Sequence, residues 1–181
     1  KEGMTFTDAH SGSGVCTPTR YGVITGRYAW RSRLKRGVLG GTSAHLINPD
    51  RMTVASYLSK QGYHTACIGK WHLGMDFPGD QGNRDWTKPV KDMPLDKGFD
   101  YFYGTPMYHG YTRDVDLDRF IPEMMRNDVL VETPADVDLL TQKYTAETLG
   151  FIRKNRDKPF FVYLAHHMPH LPLGASLKRP A

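Results

Sequence analysis

The chain of 181 residues is 39% hydrophobic, 12% aromatic and 24% charged, which fits one globular domain or a piece of one and excludes disordered and collagen-like classes. No run approaches the roughly 18 consecutive apolar residues of a membrane helix, and the start KEGMTFTDAH lacks the apolar stretch of a secretory signal. The net charge of +5 is local: without Arg27, Arg31, Arg33, Lys35 and Arg36, basic and acidic side chains balance at 19 each, which argues against a chain-wide nucleic-acid surface.

Two cysteines, Cys16 and Cys67, do not make a disulfide framework. In chain order, residues 4–11 (MTFTDAHS) alternate apolar and polar positions, which predicts a short strand entering a Ser/Gly loop. That loop leads into Cys16. Pro18 suits the first turn of a helix continuing through Tyr21–Thr25 to Gly26, so Cys16 is expected at a helix N-terminus. Residues 52–61 place Met52, Ala55, Leu58 and Ser59 on one helical face, with Gly62 as a cap before a strand HTACIG at 64–69. Residues 75–98, rich in Gly, Pro, Asp and Lys, predict a long surface loop, and FDYFYG after it a short aromatic strand. A loop-like stretch over 105–135 holds one hairpin near Asn127 and Asp128. A helix is expected over 138–154, with Leu139, Tyr144, Thr148, Phe151 and Ile152 on one face. The continuous apolar run FFVYLA (160–165) reads as a strand buried on both faces of a parallel sheet. Helix followed by strand, twice, indicates an α/β fold.

Ligands of open α/β sheets gather beyond the carboxyl ends of the strands. After HTACIG come Lys70 and His72; after FFVYLA come His166, His167 and His170; after MTFTDAHS comes Cys16, with Arg20 one turn on. A helix N-terminus, an Arg, a Lys and histidines at one edge suit a compact oxyanion, with sulfate and phosphate esters the natural candidates. Each residue also has a plainer reading. Cys16 can be a small buried hydrophobe, as Cys67 in its apolar strand is expected to be, and Lys70 and His72 can be solvated loop residues. A zinc site on the three histidines is disfavoured, because a ligand pair at i and i+4 needs a helix that Pro169 and the preceding strand deny.

The segment C-T-P-T-R at 16–20, followed by Y-G-V-I-T-G-R, resembles the signature of the type I sulfatases. G-Y-H-T-A-C-I-G-K-W-H-L-G at 62–74 is similar to that family's second signature. G-F-D-Y-F-Y-G-T-P (98–106), M-R-N-D (125–128), L-T-Q-K-Y-T (140–145) and P-F-F-V-Y-L-A-H-H-M-P-H-L-P (159–172) resemble the arylsulfatase A and N-acetylgalactosamine-6-sulfatase branch. The resemblance spans nearly the whole chain and implies an alkaline-phosphatase-like α/β fold, a mostly parallel sheet flanked by helices.

By the same resemblance, Cys16 is oxidised by a separate formylglycine-generating enzyme to formylglycine, whose hydrate is the nucleophile for sulfate ester hydrolysis on an organic, carbohydrate substrate. Arg20 holds the diol, Lys70 binds diol and sulfate, His72 hydrogen-bonds the diol, and His170 binds sulfate and protonates the leaving oxygen. Tyr108 and His109 fall in the substrate pocket, Tyr108 standing where the branch carries Ser. The family uses a divalent cation, usually calcium, and Cys16 is the one family metal ligand in this chain. The Asp pair expected before residue 1 and the Asp-Asn and second Lys expected after Ala181 are missing, so residues 1–181 are expected to be part of one longer catalytic domain. The resemblance implies a periplasmic, secreted or lysosomal setting. Two rivals remain open: a phosphate or phosphonate ester hydrolase of the same fold, and a non-catalytic module gripping polyanions through residues 27–36.

Overall fold

The structure is a computed structural model and describes residues 3–41, 43–80, 83–107 and 123–170. Helix α1 (Cys16–Thr25) carries Pro18 in its first turn and stops at Gly26, whose left-handed φ of 67° reverses the chain. Helix α2 (Val54–Lys60) starts from a reciprocal cap: Thr53 Oγ1 accepts from the Ser56 N–H at 3.0 Å, and Ser56 Oγ from the Thr53 N–H at 2.9 Å. Strand β1 (His64–Lys70) follows. A two-stranded ribbon (β2, Gly79–Asp80; β3, Asn83–Arg84) precedes β4 (Tyr101–Thr105), and the hairpin near Asn127 forms from β5 (Met124–Arg126) and β6 (Val129–Glu132). Helix α3 (Leu140–Asn155) and β7 (Phe160–Ala165) complete the described elements.

The main sheet runs β6-β5-β4-β1-β7. Strand β1 pairs in parallel with β4 and β7, while β5 and β6 extend the sheet antiparallel. The parallel core expected from the sequence is therefore three strands, β4-β1-β7, forming one side of a mixed sheet. Alternation along β1 separates two cores. Cys67 joins Tyr21, Ile24, Ala55, Trp71, Phe99 and Phe102 on one face, and Ala66 and Ile68 join Tyr103, Met124, Leu140 and Tyr144 on the other. Helices thus cover both faces, the α/β layering that the alternating elements indicate. Beyond each parallel strand's carboxyl end lies one shared edge, because Lys70 is level with Thr105 and Gly69 with Ala165.

Four expectations are corrected. Residues 4–11 form no strand; Met4 and Phe6 stay 80% and 72% exposed, since no neighbouring strand pairs with them among the described residues. Met52 stands outside the α2 face, because Thr53 caps the helix one residue later. The 75–98 segment is not all surface: Met75, Val90 and Met93 reach the core. Strand β7 is an edge strand among the described residues, so FFVYLA is partly buried and Leu164 is exposed rather than packed on both faces. No helix among the described residues is long and apolar enough to cross a membrane.

Candidate active site

Cys16 is the first residue of α1 and half-exposed. It lines an open cleft of about 470 Å³ with Ser11, Ser13, Thr19 and Arg20 from its own segment, and Tyr163, Ala165 and His166 from the end of β7. Arg20, one turn along α1, reaches across to the sheet. Its Nη1 donates to the Lys70 carbonyl and, at 3.4 Å, to the Tyr163 hydroxyl. Lys70 closes β1 with 1% exposure, and its side chain is near enough to Cys16 for the two to interact electrostatically. Burial, with Arg20 adding repulsion, lowers the Lys70 pKa to about 8, against the opposing attraction of Cys16. The solvated-loop reading of Lys70 and His72 is thereby excluded, since both are 1% exposed.

His72 sits in the left-handed region at φ 56°, a conformation that few non-glycine residues adopt and that concentrates at functional sites. Its N–H donates to the Pro106 carbonyl at 2.8 Å, which clamps the turn after β1 onto the turn after β4. Ring Nε2 donates to the Leu39 carbonyl at 2.8 Å, so in the neutral ring Nδ1 is the acceptor-type nitrogen. The Leu39 N–H in turn donates to Thr17 Oγ1 at 3.2 Å. The Leu39 peptide thus links the residue beside Cys16 to the His72 ring. Burial, then the charge of Lys70, with smaller pushes from Arg20 and His170, lowers the His72 pKa to about 4, although the Leu39 hydrogen bond opposes this. His170, half-buried, is therefore close enough to act on His72.

A stability consequence follows from His72. Its folded pKa lies below the ordinary value near 6.5, so the unfolded chain binds the proton first as pH falls. Stability is lost from about pH 6.5 down to about 4, by about 3 kcal/mol for this group. In denaturant titrations at pH 7 and pH 4.5, His72→Gln is expected to remove most of that acid-side loss; an unchanged loss refutes the assignment.

His167, by contrast, is structural. Buried at 5% exposure, it stands between Thr105 Oγ1 (2.9 Å from Nε2) and the Tyr144 hydroxyl (3.2 Å from Nδ1). His166 lines the cleft, and its Nδ1 and Arg20 Nε are buried atoms with no hydrogen-bond partner among the described residues. Tyr108 and His109 lie outside the described residues. The sequence gives Thr17, Leu39, Tyr144 and Tyr163 no role at the site, although Thr17, Tyr144 and Tyr163 stand inside the segments 16–20, 140–145 and 159–172.

Among the described residues no carboxylate lines the cleft, and Arg20 sets a cation there, so these residues do not by themselves fit the oxygen-rich shell of calcium. Three ligand-type residues do converge elsewhere: His45, Asp76 and Asp92, within 4.8 Å of one another. None of them lines the cleft. His45 Nδ1 is 2.8 Å from Asp76 Oδ2, and Lys97 neutralises Asp92 at 2.5 Å, which makes an ion-pair network binding the 44–46 segment to the turn after His72.

A family sequence model described as Sulfatase matches residues 1–180. An arylsulfatase from Hemicentrotus pulcherrimus is 32% identical over 188 residues, covering 97% of this chain and 32% of its own length. An N-acetylgalactosamine-6-O-sulfatase from Bacteroides thetaiotaomicron is 36% identical over 105 residues, 58% of this chain and 20% of that protein. The solved structure of Ps i-CgsB in complex with k-i-k-neocarrahexaose superposes with a TM-score of 0.71 at 26% identity, covering 95% of this chain and 38% of the other. The chain spans about a third of the length of the first of these curated relatives. The family match runs through both the Cys16–Arg20 helix start and the Lys70–His72 turn that the fold sets face to face, and the chain belongs to the sulfatase family.

Proposed function

We propose that this chain carries the nucleophile side of a sulfuric ester hydrolase acting on a sulfated carbohydrate. The observation that supports it most is buried Lys70 set near Cys16 at the end of β1, with Arg20 of the Cys16 helix donating to the Lys70 carbonyl. A cation, a guanidinium and a helix N-terminus around one reactive position are what a tetrahedral oxyanion needs. The two buried nitrogens at the cleft, Arg20 Nε and His166 Nδ1, add polar capacity there.

Cys16 is half-exposed at an open cleft, within reach of a formylglycine-generating enzyme. A formylglycine at this position supplies, once hydrated, two hydroxyls: one to attack sulfur and one to expel sulfate. Arg20, anchored on β1, holds that group in place. Lys70 offsets the charge that builds on the sulfur oxygens. His72, kept neutral by burial and oriented by Leu39, accepts a hydrogen bond from the nucleophile. His170 protonates the departing alcohol oxygen, and Tyr108 and His109 contact the sugar. A divalent metal would take its carboxylate ligands from outside the described residues, with position 16 contributing one ligand. The carbohydrate part of the reading is supported by one relative named for N-acetylgalactosamine-6-O-sulfate and by another bound to neocarrahexaose. A periplasmic, secreted or lysosomal compartment goes with it.

The test uses the full-length protein produced with its maturation enzyme. The Cys16 peptide is expected to be lighter by about 18 Da than the thiol form, as an aldehyde requires. Matched aryl sulfate and phosphate esters are expected to show preference for sulfate, and His170→Ala to lose roughly 10² to 10⁴ in rate. An unmodified Cys16 in active protein, or a strong phosphate preference, defeats the proposal.

A further inference from the structure

Between Asp8 and Asp50 the sequence holds no acidic residue but carries Arg20, Arg27, Arg31, Arg33, Lys35 and Arg36. Only Arg20 belongs to the cleft. The other five lie in or close in sequence to a short 3₁₀ turn, Ala29–Arg31, whose Ala29 is 5% exposed and pins the turn to the core. Tyr28 and Trp30, on either side of that anchor, point outward instead. They are 57% and 58% exposed, and their rings stack with centroids 5.9 Å apart and planes 15° from parallel. Two stacked, outward-facing aromatic rings mark an interaction site more than a folding element.

The charges round the rings are uncompensated. Among the described residues, none of Arg27, Arg31, Arg33, Lys35 and Arg36 has a carboxylate within ion-pair distance. Lys35 Nζ donates to the Trp30 carbonyl at 3.0 Å, and Arg33 to the carbonyls of Ala44 and His45. The first bond holds Lys35 on the backbone of Trp30 and the second holds Arg33 on the 44–45 segment, and neither neutralises its cation. The patch also adjoins the cleft: the Tyr28 ring lies against Gly12, whose added Cβ would be 3.5 Å from it. Gly12 stands between Ser11 and Ser13, both on the cleft wall.

We propose that Tyr28 and Trp30, with Arg27, Arg31 and Arg36 around them, form a platform for the polymeric sulfated polysaccharide whose ester enters the Cys16 cleft. The proposal rests on the sulfatase reading and deepens it by naming a polymer in place of a free sugar. The apolar C–H face of a pyranose ring packs on an aromatic face, and guanidinium groups take flanking sulfates by charge-assisted hydrogen bonds. A single-stranded nucleic acid would also stack on such rings. The polysaccharide is favoured because the patch touches the lip of a cleft built for sulfate esters and because the chain's remaining charges balance.

The experiment takes the full-length protein with Cys16→Ala, which binds without turnover, and measures affinity for chondroitin sulfate, heparin, κ-carrageenan, hyaluronan and oligo(dT) at several salt concentrations. At least one of the three sulfated polymers is expected to bind more tightly than hyaluronan and oligo(dT). Trp30→Ala, and separately Arg31→Gln/Arg36→Gln, are expected to weaken it about tenfold. In protein with Cys16 intact, the same changes are expected to leave 4-nitrophenyl sulfate kinetics within about twofold, because these side chains lie outside the cleft. No binding to any sulfated polymer, affinity untouched by both variants, or oligo(dT) bound more tightly than every sulfated polymer would each overturn the platform. Absence of any sulfate ester turnover by the intact protein refutes the sulfatase reading instead, and the binding measurements still judge the platform separately.

Discussion

Lys70→Ala in the full-length protein is expected to lower kcat/KM for an aryl sulfate by about 10³-fold while moving Tm by only a few degrees. The side chain ends β1 with 1% exposure, near Cys16, and Arg20 is tied to the Lys70 carbonyl. Removing it takes away a fixed cation next to the developing sulfate charge, in surroundings too dry for water to replace it. Stability is affected in two opposing ways. Truncation leaves a cavity, but it also relieves the cost of burying an ammonium group, and of its proximity to Arg20, which together pull its pKa down to about 8. Steady-state kinetics and a thermal melt on the same preparation decide the matter. A rate within about tenfold of wild type shows Lys70 to be structural, and a collapse in Tm shows that the rate loss was unfolding.

Gly69→Ala is expected to be strongly disruptive, costing about 4 kcal/mol or more. Gly69 has φ 115°, a conformation closed to residues with a Cβ. A Cβ there would stand 2.1 Å from the Ala165 carbonyl oxygen and 2.6 Å from its carbon, both backbone atoms of β7. Nothing flexible can yield, so β1 and β7 must part just before Lys70 and His166. Gly150→Ala is the matched control. It lies in α3 with open space at its Cβ position, and it is expected to stabilise the protein by about 0.5–1 kcal/mol through helix propensity. Equilibrium denaturation of the two variants should give shifts of opposite sign; similar shifts would contradict the close approach of β1 to β7.

The chemistry-bearing segments were legible because they depend on local rules. Pro18 and Gly26 bracket α1 by what their backbones permit, so Cys16 could be set at a helix start without coordinates. The strand character of HTACIG and the hairpin at Asn127 are similarly local. Where neighbours decide, local reading failed. MTFTDAHS has the alternation of a strand but pairs with nothing among the described residues, and FFVYLA has the composition of an interior strand but takes an edge position. Pattern states what a segment can do, and pairing decides what it does.

Resemblance to the family signatures grouped Cys16, Arg20, Lys70, His72 and His170 as an expected site; the sequence alone established the α/β alternation and the helix start at Cys16. It did so because caps, turns and periodicity act over a few residues. The tertiary structure decided what those residues meet: Lys70 buried against Cys16, His72 strained and neutral on the Leu39 carbonyl, Arg20 tied to β1, and an aromatic pair at the cleft's lip. Such contacts join residues far apart in the chain, and desolvation depends on everything packed around a group rather than on its neighbours in sequence.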